Sequence, residues 1–177
     1  EETEYRMYED TAAAAEEYGY HQYEISNFAK EGKACRHNLS YWERKNYLGF
    51  GTGAASLLCE QRYTNTDSLA LYIDTMAELE EKKEVISKAL AAVRAEQHTL
   101  SVPEQMEEMF FLGLRKNSGI SEADFLGKFG KTVDDIYAQV LEKNQKSGLL
   151  VRENGRIFLT KRGREVSNVV MSEFLLD

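Results

Sequence analysis

The stretch 149–160, LLVRENGRIFLT, carries the strongest local structural signal in the chain. Two apolar runs flank Asn154-Gly155, a dipeptide that readily takes the two positive φ angles of a tight hairpin turn. The stretch therefore predicts a β-hairpin. The elements predicted on either side of it indicate the architecture of the C-terminal region.

Three helices are predicted between residue 101 and the hairpin. The first begins at a capping box with proline in its first turn, Ser101-Val-Pro-Glu104. The second extends from Ser121 to Gly130 and the third from Thr132 to Gly148, because Ser and Thr cap helix N-termini and Gly favours the position after a helix. Apolar side chains recur at helical spacing on the first helix, and they predict its buried face: Met106, Met109, Phe110 and Leu114.

A final helix is predicted after the hairpin. Its inward face is expected to carry four apolar residues: Val166, Val169, Val170 and Phe174. Three helices, a hairpin and a further helix form the winged-helix arrangement, a helix-turn-helix variant. Such a domain binds DNA through its third helix. Here that helix begins Val133-Asp134-Asp135, and its carboxylates would repel phosphates, although a basic cluster lies near the hairpin: Arg152, Arg156, Lys161, Arg162 and Arg164.

The first hundred residues have the alternating pattern of an α/β protein. A helix is predicted over 3–18 with Gly19 as its stop, followed by a strand over 20–26, YHQYEIS. A short strand over 61–65 and a helix from Thr66 or Asp67 to about Leu79 follow, with a solvated surface over 78–84. Segment 27–53 lacks periodicity and is expected to be a long ordered loop. The predicted domains are therefore 1–100, of α/β class, and 101–177, mainly helical.

Composition limits the classes of function. The 177 residues have a net charge of −8, which disfavours binding to nucleic acid or to anionic membrane surfaces. Two Cys cannot form a disulfide framework, and no signal peptide or membrane span is recognised, so we expect a cytoplasmic protein. Because the chain opens with Glu1 inside a predicted helix, we expect it to be a piece of a longer protein.

The segment 35–42, CRHNLSYW, combines several chemically capable side chains. His37 is a potential metal ligand, and Cys35 is a rival ligand as a thiolate. Tyr41 and Trp42 offer flat faces that suit a planar aromatic ligand. An axial ligand, stacking surfaces and a cation are what a tetrapyrrole site requires. The alternative is a packed loop in which Trp is buried and His and Asn satisfy backbone groups.

A second segment, 48–56 (LGFGTGAAS), is rich in glycine. Such loops let backbone N–H groups approach a phosphate or carboxylate closely. The segment matches neither the P-loop nor the GxGxxG pattern, and the alternative is a tight turn into the next element.

The segments 23–42 (YEISNFAKEGKACRHNLSYW) and 47–56 (YLGFGTGAAS) resemble the oxygen-independent coproporphyrinogen III oxidase-like family of radical S-adenosylmethionine proteins. The HNxxYW motif within the first segment is similar to that of the family's heme-chaperone branch. The resemblance continues to the C-terminus in 110–120 (FFLGLRKNSGI), 129–137 (FGKTVDDIY) and 157–168 (IFLTKRGREVSN).

The resemblance implies a fold and a set of cofactors. The family has a partial α/β barrel that holds a 4Fe-4S cluster and S-adenosylmethionine, followed by a winged-helix-like domain. The cluster motif CxxxCxxC is not in this sequence, so the resemblance covers the last barrel elements, a linking segment and the C-terminal domain. It implies that the cluster and S-adenosylmethionine belong to the parent protein, and that this chain alone is inactive as an enzyme.

The resemblance also implies site residues. The heme-binding motif falls on His37, Asn38, Tyr41 and Trp42, with Cys35 beside it. Contacts to S-adenosylmethionine fall on Gly51, Gly53 and Ala55. The sequence departs from the family here, since the usual GPGAHS is replaced by GTGAAS over 51–56, and Glu31 stands where proline is common.

Three hypotheses of function follow. The first is heme binding and transfer to a receiving protein. The second is that the parent oxidatively decarboxylates the propionates of a porphyrinogen. The third is that 101–177 is a docking module for a protein partner, because its 11 Lys and Arg nearly balance its 12 Asp and Glu.

Overall fold

The structure is a computed structural model, and it describes residues 2–81, 88 and 91–176. The chain forms two compact units. The larger unit contains Glu1–Arg44 and Val102–Asp177, and the smaller unit contains Lys45–Ser101. Residues 1–44 thus share a unit with the C-terminal residues, and the domain division expected from sequence, 1–100 and 101–177, stays a prediction. Among the described residues, no helix is long and apolar enough to cross a membrane.

The larger unit combines helices with two small antiparallel sheets, β1-β2 and β6-β8-β7. Its N-terminal elements are α1 Glu2–Glu17, β1 His21–Glu24, β2 Asn27–Ala29 and α2 Arg36–Trp42. Its C-terminal elements are α4 Val102–Gly113, β6 Ile120–Ser121, α5 Glu122–Phe129, α6 Val133–Lys146, β7 Leu150–Glu153, β8 Arg156–Leu159, α7 Lys161–Glu165 and α8 Ser167–Ser172.

The caps predicted at Ser121 and Thr132 and the predicted hairpin are confirmed, and the capping box at Ser101 stays a prediction. Ser121 accepts a hydrogen bond from the backbone N–H of Asp124, and Thr132 forms a reciprocal capping box with Asp135. This bonding to Thr132 lowers the pKa of the Asp135 carboxyl below its usual value. Asn154 and Gly155 both have positive φ angles, 52° and 70°, as the predicted turn requires.

The core of the larger unit lies among α4, α5, α6, α8 and the β6-β8-β7 sheet. Phe110 stacks on Phe174 with ring centroids 4.3 Å apart, and it also contacts Phe125 and Tyr137. The buried face predicted for α4 is confirmed, with Met106, Phe110 and Leu114 buried and Met109 packed against the cluster.

Two predicted elements differ from the structure. The last helix is broken at Val166 into α7 and α8, so Val166 and Val169 are 41% and 61% exposed, whereas Val170 and Phe174 are fully buried as predicted. The spacing of the apolar residues predicted one continuous helix with a single buried face. Because the helix is broken, residues before and after the break do not share that face. The predicted strand over 20–26 ends at Glu24, because the chain turns at 25–26 and returns as β2.

The smaller unit contains a three-stranded antiparallel sheet, β3-β4-β5, and one described helix. Its elements are β3 Ala55–Leu58, β4 Gln61–Asn65, α3 Leu69–Glu81 and β5 Arg94–Thr99. The strand predicted over 61–65 is confirmed. The helix starts later than predicted, since the Ser68 hydroxyl accepts from the N–H of Leu71. In the predicted solvated stretch 78–84, Glu78 and Glu80 are exposed, and residues 82–84 lie outside the described residues.

Candidate functional site

The motif segment folds as a helix rather than the loop that was expected. Helix α2 follows Cys35, whose carbonyl accepts from the N–H of Leu39 at 3.0 Å, and no side chain caps its N-terminus. None of its seven residues is buried. A helix without a buried face has no apolar period, and for this reason the sequence pattern did not reveal it.

His37 lies on the solvent side of α2. It stands one turn before Tyr41, and the two rings meet edge to face with centroids 4.9 Å apart at 79°. The imidazole is exposed, and so is the free thiol of Cys35. The two candidate ligands are therefore both accessible, with one aromatic ring directly against the imidazole.

Asn38 and Trp42 face the rest of the unit. The Asn38 amide donates to the Tyr23 hydroxyl at 3.2 Å. The indole of Trp42 is half-buried under the guanidinium of Arg115, which lies 4.4 Å from the ring centroid. The indole Nε1 is buried and has no hydrogen-bond partner among the described residues.

Two ion pairs fix the end of α2 against the C-terminal elements. Arg44 donates to the Glu108 carboxylate on α4 at 2.8 Å, and both side chains are largely buried. Lys116 lies 3.6 Å from the carboxylate of Glu43. The motif helix is thus held in place by residues more than sixty positions further along the chain.

The glycine-rich segment belongs to the smaller unit and is closed by internal hydrogen bonds. The N–H groups of Gly49, Gly51 and Gly53 donate to Ser56 Oγ, Tyr72 Oη and the Thr66 carbonyl. The amide of Asn65 donates to the carbonyls of Gly49 at 3.3 Å and Gly51 at 2.9 Å. These three glycine N–H groups are therefore engaged within the protein.

The predicted S-adenosylmethionine contacts lie along this segment. Ala55 is exposed at the start of β3 and pairs with Thr64, while Gly51 and Gly53 have φ angles of 97° and 65°. A methyl side chain at position 55 offers no polar group to a cofactor. The chemistry of these residues does not make a complete site for S-adenosylmethionine.

The metal-ligating residues of the chain also do not fit a 4Fe-4S cluster. The chain has two Cys, whereas a 4Fe-4S cluster takes three or four thiolates. Among the residues that the structure describes, no group of three or more His, Cys, Asp or Glu is placed to hold a metal ion. The donors at α2 fit a different group: a porphyrin iron, which needs one accessible axial ligand and flat apolar walls.

A cleft of about 610 Å³ lies elsewhere in the larger unit. It is formed by α1, the β1-β2 hairpin and α7, and the residues of α2 do not line it. The motif is therefore an exposed surface, to which a ligand would bind from outside.

The basic residues near the hairpin make internal contacts. Arg152 pairs with Asp134 at 2.6 Å and with Glu122 at 2.5 Å. The hydrogen bonds from this guanidinium lower the pKa of the Asp134 carboxyl. Arg156 donates to the carbonyls of Ser118 and Gly119, and Lys161 pairs with Glu9. At the start of α6, cation and carboxylate neutralise each other instead of presenting one sign of charge.

Sequence reasoning missed two residues next to the motif helix, Glu24 and Arg115. Glu24 is fully buried, and its Oε2 lies 3.6 Å from the Arg115 guanidinium. The sequence did contain one signal for this pair: a carboxylate, Glu24, within the aromatic strand pattern of 20–26. A carboxylate that is buried in a strand needs a cation nearby, which predicts a partner such as Arg115.

Comparisons with known proteins agree with the resemblance. The model of the HemN C-terminal domain family matches residues 100–166. The chain is 37% identical to heme chaperone HemW of Bacillus subtilis over 99% of this chain and 43% of that protein. It is 34% identical to heme chaperone HemW of Lactococcus lactis over 97% of this chain and 42% of that protein.

A solved structure has a similar fold. The structure of coproporphyrinogen III oxidase (HemN) from Escherichia coli, a radical SAM enzyme, aligns with a TM-score of 0.68 at 16% identity. The alignment covers 94% of this chain and 39% of that structure. This chain therefore has the mixed α/β fold of that portion of the enzyme, and it spans about two fifths of the length of the relatives it matches.

The fold agrees with these comparisons, and residues 100–166 belong to the HemN C-terminal domain family. Over nearly its whole length the chain is similar to curated proteins named heme chaperone HemW.

Proposed function

We propose that this chain supplies the heme-contacting surface of a protein that binds heme and passes it to a receiving protein. The observation that carries the proposal is the exposed His37 imidazole, held against the ring of Tyr41 on a helix that is anchored from behind. The names of the Bacillus and Lactococcus relatives, heme chaperone HemW, support it.

The geometry of α2 suits reversible binding. A neutral imidazole is a good ligand for heme iron, and an edge-to-face ring restricts the orientations of the imidazole. The exposed thiol of Cys35, two residues before, is the competing ligand. Because the surface is open, heme would remain accessible to a second protein.

Heme titration of the chain tests the proposal. We expect a saturable Soret shift whose affinity falls about tenfold or more in His37→Ala. The chain offers matched controls, since His21 and Cys59 are also exposed and lie outside the motif. His21→Ala and Cys59→Ala should bind as the wild type does. Loss in Cys35→Ala instead of His37→Ala would make the thiol the ligand, and equal binding by all variants would refute the proposal.

An anaerobic assay of the parent protein with a chemical reductant addresses the enzymatic alternative, oxidative decarboxylation of a porphyrinogen. Because two Cys cannot hold the cluster, that activity needs the parent protein with its own cluster and S-adenosylmethionine. Formation of decarboxylated product by the anaerobic, reduced parent protein would favour the oxidase reading over heme transfer.

For transfer, we propose that 101–177 contacts the heme-receiving protein. Exposed apolar side chains on this segment supply a contact surface: Phe111, Leu126, Val166 and Val169. Deleting the segment would also remove Glu108 and Lys116, which hold the motif helix, so single substitutions are the sharper test. Val169→Asp should slow heme transfer to apo-acceptor while heme affinity is unchanged. Transfer at the wild-type rate in both Val169→Asp and Phe111→Ser would contradict it.

We propose the remaining architecture as the resemblance implies. Residues 1–100 would be the terminal elements of a partial radical-SAM barrel, with Gly51, Gly53 and Ala55 near S-adenosylmethionine in the parent. Residues 101–177 would be a winged-helix-like domain, and the protein would act in the cytoplasm. Cross-linking by a photoreactive S-adenosylmethionine analogue to 51–55 in the parent would test the first of these assignments.

A further inference from the structure

Glu24, Arg115 and Trp42 form a connected cluster behind the motif helix, in which Glu24 is fully buried and Arg115 and Trp42 are partly buried. Oε1 of Glu24 accepts from the N–H of Ser26 at 2.9 Å and from the amide of Asn27 at 2.5 Å, which fixes the carboxylate in the β1-β2 turn. Its Oε2 has no hydrogen-bond partner in the part of the chain that the structure describes, and it lies 3.6 Å from the Arg115 guanidinium. The same guanidinium lies over the indole, with its carbon 4.4 Å from the ring centroid.

The backbone fixes Arg115 as firmly as its side chain does. Its carbonyl accepts from the N–H of Ile25 at 3.0 Å, and two residues later Asn117 bonds to the carbonyls of Tyr23 and Gln22. The segment after α4 is thus joined to β1 on both sides of Glu24. The backbone of Arg115 is therefore held next to Glu24, which keeps the guanidinium within reach of the carboxylate.

We propose that Glu24 and Arg115 are a positioning pair that sets the orientation of Trp42 for ligand binding; the inference rests on the proposed function. The planar guanidinium fixes the tilt of the indole through a cation–π contact, and the buried carboxylate fixes the guanidinium. Lysine would retain the charge but not the planar contact. The pair therefore acts through Trp42, without touching the ligand.

Trp42 is the only Trp in the chain, so its fluorescence reports this contact directly. In Arg115→Lys we expect a red-shifted emission and faster quenching by acrylamide. Heme affinity should fall about fivefold to tenfold, because a mobile indole holds the helix that carries His37 less firmly. Glu24→Gln retains an acceptor for Ser26 but no charge, and it should shift the emission in the same direction to a smaller extent. Far-UV circular dichroism verifies that the variants are folded.

The matched control is Arg152→Lys, which changes another paired guanidinium in the same unit. It should leave Trp42 emission and heme affinity unchanged. Wild-type emission and quenching in both Arg115→Lys and Glu24→Gln would overturn the positioning pair. If the wild-type chain does not bind heme, the proposed function fails, and the fluorescence of the two variants alone supports or overturns the pair.

Discussion

Helix α6 buries Val133, Tyr137 and Leu141 in an aromatic and aliphatic core, whereas helix α2 has no buried residue. One is held by apolar area removed from water, and the other by a few polar contacts to distant residues. In this unit, the surface of α2 that carries the candidate ligands adds little to the apolar core, and the core residues include none of the candidate ligands. Substitutions in the two regions should have opposite consequences for stability and for binding.

The largest effect is expected in the core. Phe110→Ala removes a fully buried ring that contacts three other rings, and it should cost about 3–5 kcal/mol of unfolding free energy. Denaturant titration followed by circular dichroism measures the loss. A cost near that of an exposed substitution such as Leu126→Ala would contradict the assignment of Phe110 to the centre of the core.

Sequence predicted this core well because its signals are local. Ser121 and Thr132 each cap the helix that follows them directly, and Asn154-Gly155 determines its own turn. Helix α2 was not predicted, since its anchoring depends on Glu108, which is 64 positions from Arg44. No window along the sequence contains that contact.

The stability of α2 should be separable from that of the core by a substitution at Glu108. Glu108→Ala leaves the largely buried Arg44 guanidinium without this carboxylate, at a cost of about 1–3 kcal/mol. Because the contact holds α2, Trp42 fluorescence should change at lower denaturant than circular dichroism does. Glu142→Ala is the control, since its pair with Lys146 is exposed to solvent and should contribute little to stability. Coincident transitions in Glu108→Ala would show that α2 and the core unfold together.

The third prediction concerns alkaline pH. Burial, and secondarily the charge of Glu107, raises the pKa of Tyr137 above its ordinary value. A pKa that is higher in the folded than in the unfolded state stabilises the protein below the unfolded value, near 10, and this contribution is lost as the pH rises above it. Tyr137→Phe should therefore have less loss of stability above about pH 10 than the wild type.

At neutral pH the same substitution should be nearly neutral, because the Tyr137 hydroxyl has no hydrogen-bond partner among the described residues. Thermal melts of both proteins at several pH values provide the comparison. Parallel curves for wild type and Tyr137→Phe up to pH 11 would contradict a raised pKa.

The smallest effect on stability is expected where the effect on binding is largest. His37 is exposed and its imidazole contacts the ring of Tyr41, so His37→Ala should change the unfolding free energy by about 0.5 kcal/mol or less. The same variant should lose heme affinity if the imidazole is the ligand. A variant that binds heme normally but unfolds more easily would reverse the roles of the two regions: α2 would then be a structural helix whose histidine and tyrosine stabilise each other.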